Sequence, residues 1–166
     1  MIAIKINNKK EFMSKLLVSE LFDTFLVEEA TIDTFNTFHI DGSLHRDFYK
    51  NDPDYIEESF TETLSNWEQL KPICYSLIKG KRTPLGFKLI FHADNKLKTL
   101  ISESADASFG AKDFTLGLNI RFSNGDVILT TGTAFTTFTM DKTIEKAWDN
   151  YIPSFLEKSD ISTELL

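Results

Sequence analysis

Residues 114–122 read F-T-L-G-L-N-I-R-F, and Phe114, Leu116, Leu118, Ile120 and Phe122 alternate without a break. A period of two is the side-chain period of a strand with one buried face, and no helix can use it. Asn124-Gly125 follows, the pair that most readily takes the two positive φ angles of a type I′ turn. If the chain folds back over those two residues, Phe122 meets Val127, Ile120 meets Leu129 and Leu118 meets Thr131. The apolar side chains of both arms then share a face. A slip of one residue would turn all of one arm's apolar side chains to solvent, so pattern and turn specify one register. A buried face needs a cover. Behind Asp141, a helix cap, Ile144, Ala147, Trp148, Tyr151, Ile152, Phe155 and Leu156 repeat at helical spacing and supply one.

The rest of the chain extends the same plan. Ile2, Ile4 and Ile6 predict a short strand, and Asn8 with Glu11 predicts a capped helix over about 9–20. Strands are expected at 25–32, 33–40 and 44–49, with Asp41-Gly42 as a two-residue hairpin turn between the last two. The acidic stretch 50–64 reads as a loop. Ser65 and Glu68 form a capping box for a helix carrying Trp67, Leu70, Ile73, Cys74, Leu77 and Ile78 on one face, with Gly80 as its stop and Pro72 as a kink or a restart. Leu85, Phe87, Leu89 and Phe91 predict a strand, Asp94 caps a short helix, 102–112 is a loop, and a further strand is expected at 134–140. Together these predict one α+β domain over 1–158, a mostly antiparallel sheet with helices packed on one face, and a frayed tail over 159–166.

Charge is segregated. Residues 70–101 hold seven bases (Lys71, Lys79, Lys81, Arg82, Lys88, Lys96, Lys98) and one acid, Asp94, in a chain whose net charge is −7. A local field of this kind attracts anions whatever the total, although an acidic chain is no general nucleic-acid coat. Lys79, Lys81, Arg82 and Lys88 are the candidate anion-binding residues. The competing reading is that the lysines cap a helix C-terminus, where the dipole disfavours anions, and balance the acidic 50–68 stretch.

Other constellations carry less. His39, Asp41 and His45 surround the expected turn, but a two-residue turn sends the histidines to opposite faces, which argues against a metal site. Cys74 lies on an apolar helical stripe and reads as packing rather than as a nucleophile. His92 ends a strand with no identifiable acid or base partner. Trp67 and Trp148 lie on apolar helical faces, Arg121 points opposite the Phe122 row, and the threonine-rich 130–139 run reads as β-propensity. No phosphate loop, dinucleotide fingerprint, nucleophile elbow or zinc-protease motif occurs, so no residue is assigned a catalytic role, and no cofactor and no metal are implied. One cysteine excludes an internal disulfide. There is no signal-peptide core at Met1–Lys10, and no run of about 18 apolar residues. A cytoplasmic protein off the membrane is expected.

W-E-Q-L-K-P-I-C-Y-S-L-I-K-G-K-R-T-P-L-G-F-K (67–88), L-N-I-R-F (118–122), T-T-G-T (130–133), F-T-M-D-K-T-I-E-K-A-W-D (138–149) and L-H-R-D-F (44–48) resemble an uncharacterised family from Gram-positive anaerobic bacteria. The resemblance covers nearly the whole chain and implies no activity and no site residue. At the level of element order alone, the strand, helix and meander also resemble one domain of a DNA sliding clamp, with Lys9, Lys10, Lys15, Lys71 and Lys79 as its basic helical residues. Three functions follow as expectations: a non-enzymatic binding or interaction module, whose partner is expected to be a protein; a clamp-like factor meeting nucleic acid through residues 70–101; or an enzyme built around Cys74, His92 or the His39 hairpin. Nothing in the sequence sets the oligomeric state.

Overall fold

Asn124 and Gly125 have φ angles of 51° and 81°, and the chain reverses there in the register that the alternation requires: Phe122 opposite Val127, Ile120 opposite Leu129, Leu118 opposite Thr131. The computed structural model describes residues 1–166. Its strands are β1 (Ala3–Ile6), β2 (Leu26–Asp33), β3 (Thr37–Asp41), β4 (Gly86–His92), β5 (Phe114–Ser123), β6 (Asp126–Phe135) and β7 (Thr163–Leu165). Its α-helices are α1 (Lys9–Leu17), α2 (Trp67–Ile78), α3 (Asn95–Ser104) and α4 (Thr143–Lys158). The fold is α+β. One seven-stranded sheet, in the order β3-β2-β4-β5-β6-β1-β7, is antiparallel at every pairing.

Alternation puts Ile4 and Ile6, Ala30 and Ile32, Phe87, Leu89 and Phe91, Leu116, Leu118 and Ile120, and Val127 and Leu129 on one face, all buried. The helices cover that face with Phe12 and Leu16 from α1, Trp67, Cys74 and Ile78 from α2, Ile101 from α3, and Ile144, Trp148, Ile152 and Leu156 from α4. Both tryptophans are fully buried, and each indole N–H donates to a backbone oxygen at 2.8 Å, Trp67 to Leu16 and Trp148 to Gly117. A buried indole needs such an acceptor, so these rings are core. No helix lies on the opposite face of the sheet.

Several expectations are corrected. The β2–β3 reversal is made by Thr34, Phe35 and Asn36, since Asp33 pairs with Thr37. Asp41-Gly42 is no turn. Gly42 follows β3 and lies so close to β2 that a Cβ would stand 1.6 Å from the Val27 carbonyl oxygen. A close approach, rather than a positive φ, requires glycine there. Residues 44–49 form no strand. Ser43 makes a single bridge to Leu64, and Arg46–Phe48 is a 3₁₀ turn. The N-cap of α2 is Asn66, whose side chain accepts from the Gln69 N–H at 3.0 Å, while the Ser65 carbonyl is taken by the Val27 N–H at 2.8 Å. α2 runs through Pro72 without a restart, and Ile73 is left half-exposed. α3 extends to Ser104, into the expected 102–112 loop, and β6 runs unbroken to Phe135, so 134–140 is no separate strand. The 159–166 tail is not frayed: Thr163–Leu165 pairs with β1, the Leu166 N–H donates to the Ala3 carbonyl at 2.9 Å, and Ile161 is buried. β1 needed an outer neighbour for its open hydrogen bonds, and the short polar tail provides it.

Candidate functional site

Antiparallel pairing gives the sheet two ends. At one lie the C-terminus of β2, the N-terminus of β4, the β5–β6 turn, the start of α1 and the end of α2. Lys79, Lys81 and Arg82, on the connection from α2 to β4, are all exposed there. They line a groove of about 730 Å³ with Thr34, Phe35 and Leu85. Lys9 and Lys10 reach the same end from α1, flanking a mostly apolar hollow of about 260 Å³ that includes Ile78, Pro84 and Phe122. Lys9 donates to the Gly125 carbonyl, and Lys79 lies over the Tyr75 ring at 4.9 Å.

No ion pair involves Lys10, Lys79, Lys81, Arg82 or Arg121. The carboxylates at this end are taken by other partners: Asp126 pairs with Lys5 at 3.3 Å, and Asp33, which lines the hollow of Lys88 and Arg121, accepts from the Thr37 hydroxyl at 2.7 Å. Lys88 stands apart from the cluster, on the uncovered face of the sheet, with its ammonium 3.2 Å from Glu29. The Thr31 hydroxyl and then Lys88 hold the Glu29 carboxyl below its usual range. Directly across from Lys88 in the β4–β5 register is Arg121, exposed and unpaired. Like charges opposed across strands are unfavourable, so this pair persists without stabilising the sheet. Lys88, Arg121 and Phe35 line a second hollow, about 840 Å³, which adjoins the first through Thr34, Phe35 and Leu85.

The basic segment is therefore divided by the fold. Lys79, Lys81 and Arg82 share a groove, and Lys88 lies in the adjoining hollow. Lys71 is withdrawn, 2.6 Å from Asp23 and also bonded to the Ser19 carbonyl. Lys96 and Lys98 belong to α3, beyond the far end of β4, about 20 Å away at strand rise. Lys9, Lys10 and Arg121 join from outside the segment. Phe35 and Arg121 are the surface residues that the charge run did not point to. The sign for Phe35 was a large aromatic between Thr34 and Asn36, a position that becomes a turn. Of the five lysines in the clamp-like arrangement, Lys9, Lys10 and Lys79 share this end, while Lys15 sits in the last turn of α1, away from it.

The remaining candidates are dispersed. His39 bonds the Thr31 hydroxyl at 3.2 Å and lies 3.8 Å from Glu29, whereas Asp41 accepts from the Ser43 N–H at 2.9 Å. That backbone bond lowers the Asp41 carboxyl below its ordinary value. No group of three or more His, Cys, Asp or Glu side chains is arranged to hold a metal ion. His92 does have a partner, Glu28, at a bulge in β2 between Val27 and Glu29. The bulge lets Val27 and Ala30 both point into the core and turns Glu28 outward. Cys74 is fully buried, and burial pushes its thiol up to about 11. A buried thiol with a raised pKa is a poor nucleophile.

Fold and site together describe an α+β domain whose sheet is bare on one face and basic at one end. Residues 15–164 match DUF5721, a family of unknown function, and the chain belongs to it. No curated protein and no solved structure matches the chain. No helix is long and apolar enough to cross a membrane.

Proposed function

We propose that the protein is a non-enzymatic binding module that takes an anionic partner on the basic end of its sheet. One observation carries this reading: Lys10, the Lys79, Lys81 and Arg82 run, and Arg121 come from three distant parts of an acidic chain to one end, and none contacts a carboxylate. Bases that only balanced the acidic stretch would be paired with it. The 43–66 segment instead lies at the opposite end, tied to the start of β2 by Leu26 and Asn66. Dispersal of Cys74, His39, His45 and His92 supports binding over catalysis, and the lone buried cysteine agrees with a reducing, cytoplasmic setting. The narrower, clamp-like role rests on the three lysines that α1 and the end of α2 bring together.

Heparin, a flexible polyanion without bases, tests the reading. Binding that weakens steeply from low to high salt, and disappears in the triple variant Lys79→Ala, Lys81→Ala, Arg82→Ala, is the expected result. Absence of binding at low salt, or equal binding by the triple variant, would remove the basic end as the working surface.

A further inference from the structure

Phe35 is 85% exposed, at the tip of the β2–β3 turn, where its one aromatic contact is edge-on to Phe38 at 5.6 Å. Leu85, beside it, is 77% exposed. Both residues belong to the two adjoining hollows, so an apolar ridge runs between two floors that carry bases: Lys81 and Arg82 on one side, and Lys88 and Arg121 on the other, where Asp33 also lines the wall with its carboxylate bonded to the Thr37 hydroxyl. Phosphates set along a strand, with a base between them, have this alternation of charge and flat apolar surface. A duplex keeps its base faces stacked inside and gives a protruding phenyl ring nothing to meet. In a single strand every base offers a face.

We propose that this ridge and its two floors hold a single-stranded nucleic acid. Phe35 stacks on one base. Lys81 and Arg82 meet the phosphate on one side of it, and Arg121 meets the phosphate on the other, where its unpaired guanidinium fork suits a phosphate and Lys88, already drawn to Glu29, adds charge only. This rests on the anionic-partner reading and narrows it to one class. Because stacking on a base and charge on a phosphate are common to both, DNA and RNA strands share the chemistry.

Fluorescence anisotropy with labelled oligodeoxythymidylate, oligouridylate, a mixed-sequence duplex and a poly-glutamate peptide tests it. Both single strands should bind, with a steep salt dependence, at least tenfold more tightly than the duplex or the peptide. Phe35→Ala should weaken single-strand binding about tenfold or more and leave heparin binding unchanged. Phe35→Trp should restore it, and because Trp67 and Trp148 are buried, the new exposed indole should be quenched on binding. Arg121→Ala should reduce the salt slope by about one unit. Heparin binding without single-strand binding would overturn this proposal and leave the anionic-partner reading standing. Loss of both would remove both. Equal affinity for duplex or poly-glutamate, or single-strand binding indifferent to Phe35, would also overturn it. Phe35 buries little, so its variants will fold.

Discussion

The sheet contains two hairpins that hold their register by different means. β5–β6 is set locally. Asn124 and Gly125 adopt the left-handed angles of their turn, and ten consecutive partners follow from Ser123–Asp126 to Phe114–Phe135. β2–β3 has no such turn: Thr34, Phe35 and Asn36 close it, and none of them has a positive φ. Its alignment comes from elsewhere. The Gly42 N–H donates to the Glu28 carbonyl at 3.0 Å across the open end, and that end is locked to distant parts of the chain by the bulge at Glu28, where β2 pairs with β4, and by the Val27 N–H donating to the Ser65 carbonyl at 2.8 Å. A local turn permits a hairpin to form early and alone. A hairpin pinned at its open end forms only when its distant partners arrive.

The sharpest way to break this contrast is at Gly42. Any side chain there collides with the backbone of Val27, in a strand held between β3 and β4. Gly42→Ala should cost on the order of 4–5 kcal/mol or prevent folding, read from the urea midpoint. A loss below about 1 kcal/mol would show that β2–β3 is aligned without this contact. Ile120, fully buried in β5, is next. Ile120→Ala should cost about 3–4 kcal/mol by lost burial and a cavity, but it should leave the hairpin register intact in amide exchange. A change worth under half a kcal/mol would place Ile120 outside the core.

The same distinction explains what could be read before the fold was known. Signals that act within a few residues were legible: the Asn124-Gly125 register, the Asn8 cap that accepts from the Glu11 N–H at 3.1 Å, and the Asp94 cap that accepts from the Leu97 N–H at 2.8 Å. Asp41-Gly42 carried an equally strong local signal and meant something else, because the glycine answers to Val27 on the facing strand rather than to its own neighbours in the chain. Ser65 looked like a cap, but its carbonyl serves β2. The polar tail had no period of its own, and only the unpaired edge of β1 makes it a strand. The candidate site divides likewise. Lys79, Lys81 and Arg82 were visible as a charge run, whereas the loss of Lys71 to Asp23 and the arrival of Arg121 beside Lys88 depend on tertiary pairing.

Cys74 tests the cover that the long-range hairpin relies on, since α2 packs on β2. Its thiol pKa rises from 9.0 to about 11 on folding. Between those pH values the unfolded chain releases the proton and the folded chain keeps it, so stability is unaffected below about pH 9 and falls as pH rises toward 11, by up to about 2–3 kcal/mol. Urea midpoints across this range should decline more steeply for the natural chain than for Cys74→Ala, and the folded thiol should stay unreactive at neutral pH. Prompt stoichiometric labelling of the folded protein would mean that the β2 side opens readily.

The smallest effects make the most direct comparison, because they concern the two turns themselves. At Gly125, φ is 81° and the nearest atom to an added Cβ is the Lys9 ammonium at 3.8 Å, so the penalty of Gly125→Ala is conformational rather than steric. A left-handed alanine costs about 1–2 kcal/mol, and the loss should appear mainly as slower folding if this hairpin forms early. Phe35 occupies the other turn and has little to lose. Its ring is mostly in water, its one aromatic neighbour is Phe38, and the adjacent Thr34 hydroxyl is buried without a hydrogen-bond partner. Phe35→Ala should therefore shift stability by less than about 0.5 kcal/mol and leave the folding rate alone. If it cost as much as Gly125→Ala, the ring would be holding its turn closed, both hairpins would be set by their turns, and the exposed phenyl would need no ligand to explain it. A stable, normally folding Phe35→Ala that has lost its single-strand binding would separate the two regions by what their turns are for: one makes the sheet, and the other presents a ring.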